Sequence, residues 1–167
     1  MRIMLLLVGA VLISCMKNSN KYTVNNLDIK RYAGTWYEIA RFPHRFERDL
    51  QKVTATYTLL EKGGIKVTNR GQNPKGNWKE VNGKAFVPYT SQSGKLKVQF
   101  FWPFRAPYWV HRIDPEYRYA LVGGPGNDYL WVLCREKSMP EEMYQDYLKT
   151  ARELGYDIAR LEKVQQE

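Results

Sequence analysis

The side chains that could take part in covalent or metal chemistry are few in this 167-residue chain. There are two histidines, His44 and His111, and two cysteines, Cys15 and Cys134. The histidines fall on different predicted elements and show no metal-ligand spacing with a cysteine. No nucleophile is recognisable beside a general base. The sequence therefore predicts no metal site, no cofactor and no enzymatic activity, and non-covalent binding is the chemistry left to consider.

Residues 1–14, MRIMLLLVGAVLIS, are predicted to be a targeting segment, because one arginine precedes an apolar run shorter than the ~20 residues that span a bilayer. The run leads into Leu12-Ile13-Ser14-Cys15, which resembles the signal of bacterial lipoproteins. That resemblance implies cleavage before Cys15 and a lipid on Cys15. Since Met16 rather than Asp follows, it also implies the bacterial outer membrane. A plain signal peptide with an incidental cysteine is the alternative. Residues 15–26 then form a polar tether from the lipidated cysteine.

The composition favours a β-rich domain with a basic surface. Aromatic residues make up 14% of the chain, and the formal net charge is +9. The charge is explained either by a solvated basic surface alone or by attraction to an anionic membrane or ligand. Nucleic acid is not expected as a partner, because Lys and Arg are scattered among Asp and Glu rather than gathered in one run.

Short segments of alternating or branched and aromatic residues are separated by breaks that carry Gly, Pro or Asn. Such segments predict antiparallel strands in a sandwich or a barrel. The predicted strands are 34–42, 52–60, 64–71, 82–88, 95–101, 107–114, 118–123 and 129–135.

Helices are predicted at the two ends of this region. Asp28 is expected to cap one helical turn before Gly34, and Ser138 with Glu141 forms the S-x-x-E capping box of a final helix that ends at Gly155. This final helix is amphipathic and should pack on the outside of the sheet. Its apolar stripe consists of Met143, Tyr147, Leu148, Ala151 and Leu154.

Trp36 and Arg135 are predicted to be neighbours if the sheet closes. In an up-and-down sheet of eight strands, the start of the first strand and the end of the last lie at the same end. A guanidinium stacked on an indole contributes ~0.5–2 kcal/mol, so this pair would close the floor of a barrel. Gly34 would let the preceding turn cross close beneath.

The segments GTWYEIARF and NDYLWVLCR, with the helix that follows, resemble the lipocalin family, and in particular its bacterial outer-membrane members. The resemblance covers nearly the whole chain. It implies an all-β fold, an eight-stranded antiparallel up-and-down β-barrel with a C-terminal α-helix packed outside, as a single domain over 27–167. It also implies a carrier that holds a small hydrophobic ligand in the barrel.

Alternation from Trp36 and Arg135 predicts the side chains that line this barrel. Glu38, Ala40, Ala55, Val67, Leu96, Val98, Tyr108 and Leu133 are expected to face inward. The resemblance adds Tyr57, Asn69, Phe100 and Trp131 as ligand-contacting positions. The expected result is a cup with few polar atoms that suits the acyl chain of a fatty acid or lysophospholipid. A filled core without room for a ligand is the alternative.

The open rim is predicted to consist of the loops 42–51, 72–81, 102–106 and 123–128. Its basic side chains could hold an anionic headgroup or could form simple surface ion pairs, and the candidates are His44, Arg45, Arg48, Lys75 and Arg105. Its aromatic side chains could dock on a membrane or form a homodimer. They are Phe46, Trp78, Trp102 and Phe104.

Three other functions compete with lipid carriage. A pigment or haem carrier is disfavoured because alternation turns His111 outward. A lipid-acting enzyme of the lipocalin type would need a thiol in the cup, whereas alternation places Cys134 outside the barrel, buried beneath the final helix. A surface protein with a closed core remains the third.

Overall fold

A computed structural model describes residues 22–45, 47–87 and 94–167. The predicted targeting segment 1–14, the predicted lipidation site Cys15 and the predicted tether up to residue 21 lie outside the described residues, and so does Phe46. Within the described part of the chain, no helix is long and apolar enough to cross a membrane.

Eight antiparallel strands form a closed barrel with up-and-down order. Each strand pairs with the next in sequence, and β1 pairs with both β2 and β8. The predicted fold is therefore confirmed. The strands are β1 (Gly34–Arg41), β2 (Gln51–Leu59), β3 (Ile65–Gln72), β4 (Trp78–Phe86), β5 (Lys95–Phe101), β6 (Phe104–Ile113), β7 (Tyr119–Gly123) and β8 (Leu130–Cys134).

The floor of the barrel is closed as the sequence predicts. The guanidinium of Arg135 lies 3.8 Å from the centre of the fully buried Trp36 ring. Gly34 has a φ of +97°, and a Cβ there would lie 3.2 Å from Nη1 of Arg135. Only glycine adopts this backbone conformation readily, and a side chain here would also crowd the Arg135 guanidinium. Both effects favour glycine at this position. The helix α1 (Ile29–Tyr32), capped by Asp28, crosses beneath.

Ala40 does not face the barrel interior, contrary to the expectation from alternation. The pairing of β1 with β8 shifts register between Glu38 and Ala40, which marks a β-bulge. The extra residue reverses the alternation above it. Ala40 and Phe42 therefore join the apolar cluster outside the barrel, while Arg41 turns inward.

Two strands begin earlier than predicted, so two rim loops are shorter. β4 starts at Trp78 rather than residue 82, because the side chain of Asn73 accepts hydrogen bonds from the amides of Lys75 and Asn77 and closes a tight turn. β6 starts at Phe104 rather than residue 107, which leaves only residues 102–103 between β5 and β6.

The final helix α2 (Glu141–Glu153) packs outside the barrel, as predicted. The predicted capping box is wrong, because Pro140 occupies the N-cap and no side chain caps this end. A proline favours an extended conformation in the residue before it, so the helix begins after Met139. Gly155 follows the helix with a φ of +80°, as expected of a terminating glycine.

The apolar stripe of α2 covers the outer face of β1, β7 and β8 and buries Cys134, as alternation predicts. The Sγ of Cys134 donates to the carbonyl of Ser138 at 3.4 Å. Burial raises the pKa of this thiol.

The chain returns to the barrel after α2, which the sequence did not indicate. A short 3₁₀ turn (Ile158–Arg160) leads into β9 (Glu162–Lys163), which pairs with β1 at Ala40 and Arg41. Gln166 then donates from Nε2 to the carbonyls of Glu38 and Val53, at 2.6 and 3.0 Å. The pairing of β1 with β2 ends at Tyr37 and Thr54. The C-terminal segment thus lies between the two strands beyond this point and bonds to both.

Candidate ligand-binding site

Most of the side chains predicted to line the barrel do face its interior. The fully enclosed ones form one apolar cluster around Trp36, and Phe100 and Trp131 pack against it. Asn69, Phe100 and Trp131, which lie toward the open end, are only half-buried. The enclosed predicted positions are Ala55, Tyr57, Val67, Leu96, Val98, Tyr108 and Leu133.

The lower interior contains a chain of tyrosine hydroxyls. Tyr32, carried in by α1, lies 2.6 Å from the hydroxyl of Tyr108, and Tyr57 donates to Tyr108 at 2.7 Å. All three side chains are buried. Burial raises the pKa of each phenol, so the hydroxyls remain neutral donors and acceptors. These rings occupy the lower interior of the barrel, above the Trp36 floor.

The upper interior contains a buried charged cluster, so the expectation of few polar atoms is wrong. Arg41 donates from Nη1 to the carboxyl of Glu38 at 3.3 Å, and the carboxyl of Glu47 lies 4.0 Å from Nε of Arg41. Arg41 also donates from Nη2 to the backbone carbonyls of Glu47 and Leu50, which holds the loop between β1 and β2 over the barrel mouth. All three charged side chains are almost completely enclosed.

The pKa values of the two carboxyl groups in this cluster are shifted in opposite directions. Burial and the neighbouring charge of Glu47 raise the pKa of Glu38 well above its ordinary value, although Arg41 opposes this. Burial alone would raise the pKa of Glu47 as well, but His44, Arg41 and the Trp131 indole together lower it. Glu38 therefore keeps its proton to a higher pH than an ordinary carboxyl group, whereas Glu47 loses its proton at a lower pH.

The Glu47 carboxylate is held by donors from three further positions. His44 Nε2 lies 2.8 Å from Oε2, and the Trp131 indole donates to the same oxygen at 3.4 Å. Asn69 donates from Nδ2 to Oε1 at 3.5 Å. The rings of His44 and Trp131 also pack edge to face, with centroids 5.5 Å apart. Both carboxylate oxygens are thus bound by groups that line the barrel mouth.

Sequence reasoning missed Arg41 and Glu47 as interior residues. Regular alternation with Glu38 inward would have put Arg41 on the outer face that α2 covers. A charged residue beneath an apolar helix face is a conflict that a bulge resolves, and this conflict was the available signal. Glu47 lies in a loop, where periodicity carries no information about side-chain direction.

The predicted headgroup residues do not form one basic ring. Arg45 and Arg48, with His44, line a depression of ≈ 440 Å³ between the β1–β2 loop and β9. Lys75 lies in the separate turn between β3 and β4. Arg105 belongs to β6 rather than to a rim loop, and its guanidinium lies 4.0 Å from the ring centre of Phe86.

A second depression, of ≈ 480 Å³, lies in the wall at β4 and β5. The two strands pair over only three positions, from Lys84 to Phe86 of β4. The depression is lined partly by the apolar side chains of Leu60, Phe100 and Trp102.

Aromatic side chains are exposed at the tip of the β5–β6 hairpin. Trp102 is 86% exposed, Phe104 77% and Phe101 61%. Trp78, at the neighbouring start of β4, is 48% exposed, with the guanidinium of Arg70 stacked 4.1 Å from its ring centre. Exposed aromatic side chains grouped in this way are typical of surfaces that associate with a membrane or another protein.

His111 lies outside the barrel, as alternation predicts. Its Nε2 is 2.9 Å from the Tyr156 hydroxyl and its Nδ1 is 2.7 Å from the carbonyl of Tyr22. Among the residues that the structure describes, no group of three or more His, Cys, Asp or Glu side chains could hold a metal ion.

Comparison with known proteins identifies the family. The model of the Lipocalin-like domain family matches residues 27–166. The outer membrane lipoprotein Blc of Escherichia coli K12 is 51% identical over 144 residues, which cover 86% of this chain and 81% of that protein. The Blc of Vibrio cholerae is 43% identical over 169 residues, covering 99% of this chain and 98% of that protein.

Insecticyanin from the tobacco hornworm Manduca sexta shares the fold, with a TM-score of 0.69 and 23% identity over 85% of this chain and 82% of its own. The related proteins are named as lipoproteins and lipocalins rather than as enzymes. The closed barrel, its indole and guanidinium floor and the sequence matches place this chain in one family: it belongs to the lipocalins, which are ligand-binding carrier proteins.

Proposed function

We propose that this lipocalin is anchored through Cys15 in a bacterial outer membrane and binds one single-chain amphiphile, either a fatty acid or a lysophospholipid. Its role would be storage, transport or membrane maintenance. The observation that carries the proposal is the closed barrel with a sealed floor, in which the inward-facing Asn69, Phe100 and Trp131 remain half-buried toward the open end. This is the part of the interior that a ligand can reach.

The apolar side chains of the barrel interior, among them Val98, Phe100 and Trp131, suit an acyl chain. Each CH₂ that leaves water contributes ~0.8 kcal/mol, although ordering of the ligand offsets part of the gain. The tyrosine rings of the lower barrel limit the depth available. Affinity should therefore rise with chain length over the shorter chains and then level off.

Native mass spectrometry of the full-length protein, extracted from its membrane in a mild detergent, tests the proposal. We expect a bound mass that corresponds to one fatty acid or lysophospholipid, and added amphiphiles of graded chain length should bind with rising and then constant affinity. A protein that is extracted empty and binds none of the added amphiphiles would refute the proposal. Turnover of an added lysophospholipid would instead indicate an enzyme.

The alternative of a haem carrier finds no support at His111, because this side chain lies outside the barrel and contacts Tyr156. A coloured protein after purification would nevertheless favour a pigment carrier over a lipid carrier.

The anchor rests on the Leu12-Ile13-Ser14-Cys15 sequence and on relatives that are named outer membrane lipoproteins. A Cys15→Ala protein should fail to incorporate labelled palmitate and should leave the membrane fraction. Unchanged membrane attachment of this variant would contradict the anchor and leave the ligand proposal intact.

The exposed aromatic side chains around Trp102 are consistent with two roles, contact with a membrane or a homodimer. Replacement of Trp102 by Ser separates them. A dimer through this surface would dissociate in native mass spectrometry, whereas membrane contact would show as weaker binding of the Cys15→Ala, Trp102→Ser protein to anionic vesicles than of the Cys15→Ala protein.

A further inference from the structure

We infer that the buried donors around Glu47 form a recognition site for the carboxylate of a fatty acid, and that Glu47 occupies this site as an internal substitute when no ligand is bound. The inference rests on the proposed function and narrows it. It assigns the carboxylate to an enclosed position inside the barrel mouth rather than to the exposed basic rim.

The first argument is the fit of the site to a carboxylate. Donors from three separate parts of the chain converge on the Glu47 side chain: Asn69 of β3 reaches one oxygen, and Trp131 of β8 and His44 of the loop reach the other. Charge-assisted hydrogen bonds to both oxygens are the interactions by which proteins recognise carboxylates. A site that already binds one carboxylate in this way has the chemistry to bind another.

The second argument is an unused donor at the same place. Nε of Arg41 is buried and has no hydrogen-bond partner within residues 22–45, 47–87 and 94–167. It lies 4.0 Å from Oε2 of Glu47, beyond hydrogen-bond distance. A buried donor of this kind is costly unless a ligand or water satisfies it. A carboxylate set slightly deeper than that of Glu47 would bind it.

The third argument is that Glu47 can leave without unfolding the loop. Arg41 holds the loop through hydrogen bonds to the backbone carbonyls of Glu47 and Leu50, and its ion pair with the Glu47 carboxylate, at 4.0 Å, adds to them. The two hydrogen bonds to the carbonyls do not depend on the Glu47 side chain. The depression of ≈ 440 Å³ beside the loop is bordered by Glu47 together with Arg45 and Arg48. Asp49 and Glu162 also border this depression. The displaced carboxylate therefore has space there, and Arg45 and Arg48 are the cationic partners it can reach.

The inference makes Glu47 a competitor of the ligand carboxylate. Two carboxylates at one site repel each other, so the ionised Glu47 should weaken binding of a fatty acid more than binding of a neutral amphiphile with the same chain. Glu47→Gln removes the competing charge and keeps the size of the side chain. Asn69→Asp adds a charge at the same site and should have the opposite effect.

The test is competition between palmitic acid and hexadecan-1-ol at equal concentration for the full-length protein in a non-ionic detergent, with each bound species counted by native mass spectrometry. Glu47→Gln should raise the ratio of bound acid to bound alcohol by about tenfold, as expected for loss of one close like charge. Asn69→Asp should lower the ratio. Glu61→Gln, an exposed side chain in the turn at the opposite end of the barrel, changes the net charge equally and should leave the ratio unchanged.

An unchanged ratio in a folded Glu47→Gln protein would overturn the inference and leave the proposed function standing. A parent protein that binds neither compound would overturn both. If Glu47→Gln does not fold, Trp131→Phe is decisive, because it keeps a ring and removes one donor. It should reduce binding of the acid and spare the alcohol, and equal effects on the two would overturn the inference.

Discussion

Replacement of Arg135 by Lys tests whether the floor of the barrel is held by the shape of the guanidinium or only by its charge. The guanidinium lies over Trp36 and donates to the backbone carbonyls of Arg31, Tyr32, Ala33, Thr35 and Tyr117, at 2.7 to 3.2 Å. Three of these carbonyls are at the end of α1, where a helix leaves carbonyls without partners. Arg135 therefore caps α1 and covers the indole at the same time.

The expected loss follows from counting donors. The guanidinium uses its Nε, Nη1 and Nη2 to reach five carbonyls, whereas a lysine has three N–H groups, so at least two of these hydrogen bonds are lost. The Tyr32 carbonyl keeps the Trp36 indole as a donor, so at least one carbonyl is left without a protein partner. Each charge-assisted bond contributes ~1.5–3 kcal/mol, and planar stacking on the indole adds about 1 kcal/mol. Because the side chain is half-exposed and water can replace part of this, we expect the free energy of unfolding to fall by about 3 kcal/mol.

Equilibrium unfolding in urea, followed by tryptophan fluorescence and circular dichroism, measures this loss. Arg118→Lys is the matched control, because Arg118 is 57% exposed and its ion pairs are with Asp114 at 3.3 Å and Glu116 at 4.0 Å. Because exposed ion pairs contribute little to stability, its replacement should cost far less than that of Arg135. If Arg135→Lys is no more destabilising than Arg118→Lys, charge alone holds the floor and the argument from guanidinium geometry is wrong.

Three further outcomes follow from the described contacts. The pKa of Glu38 is raised in the folded barrel and lies near its ordinary value of 4.5 in the unfolded chain. The stability of the parent should therefore fall as pH rises above that value, by up to about 1.4 kcal/mol per pH unit. The free energy of unfolding of Glu38→Gln, measured across the same pH range, should lack this contribution, and identical pH profiles would contradict the assignment. Gln166→Leu should lower stability in urea by about 2 kcal/mol, because it leaves two backbone carbonyls unpaired, while Glu167→Gln should change it by less than about 0.5 kcal/mol. Cys134 should react with a thiol reagent slowly in the native protein and rapidly after denaturation, since α2 covers it; equal rates would contradict its placement.

The features that could be predicted from the sequence are those that depend on local alternation and on closure of the sheet. Trp36 and Arg135 are 99 positions apart in the chain, yet the up-and-down order of eight strands is sufficient to bring them together. The outward direction of Cys134 and of His111 follows from the same alternation, counted from a nearby fixed residue. These predictions required only the number of strands and the parity within one strand.

The features that could not be predicted depend on insertions and on loops. One extra residue near Ile39 reverses the parity of β1, so Ala40 was assigned to the wrong face and Arg41 was overlooked. The polar partners of the Glu47 carboxylate come from its own loop and from two strands, β3 and β8, and no spacing in the sequence connects them. The sequence matches a capping box well, but Pro140 prevents it. If Ser138 were the N-cap, Met139 would have to be helical, and the proline after Met139 disfavours that conformation.

The bulge in β1 allows the upper part of one strand to present apolar side chains outside the barrel and a charged side chain inside it. Outside, α2 and Tyr156 require apolar side chains on the upper part of β1, which Ala40 and Phe42 supply. Inside, the loop over the barrel mouth requires a donor to its carbonyls, which Arg41 supplies. Regular alternation from Glu38 would instead have placed Ala40 inside the barrel and Arg41 outside it. The result separates the barrel along its axis into a sealed aromatic floor below and a polar, loop-covered mouth above. Under the proposed function, ligand selectivity would arise in the upper part, where Asn69 and Trp131 are half-buried, while the floor stays closed.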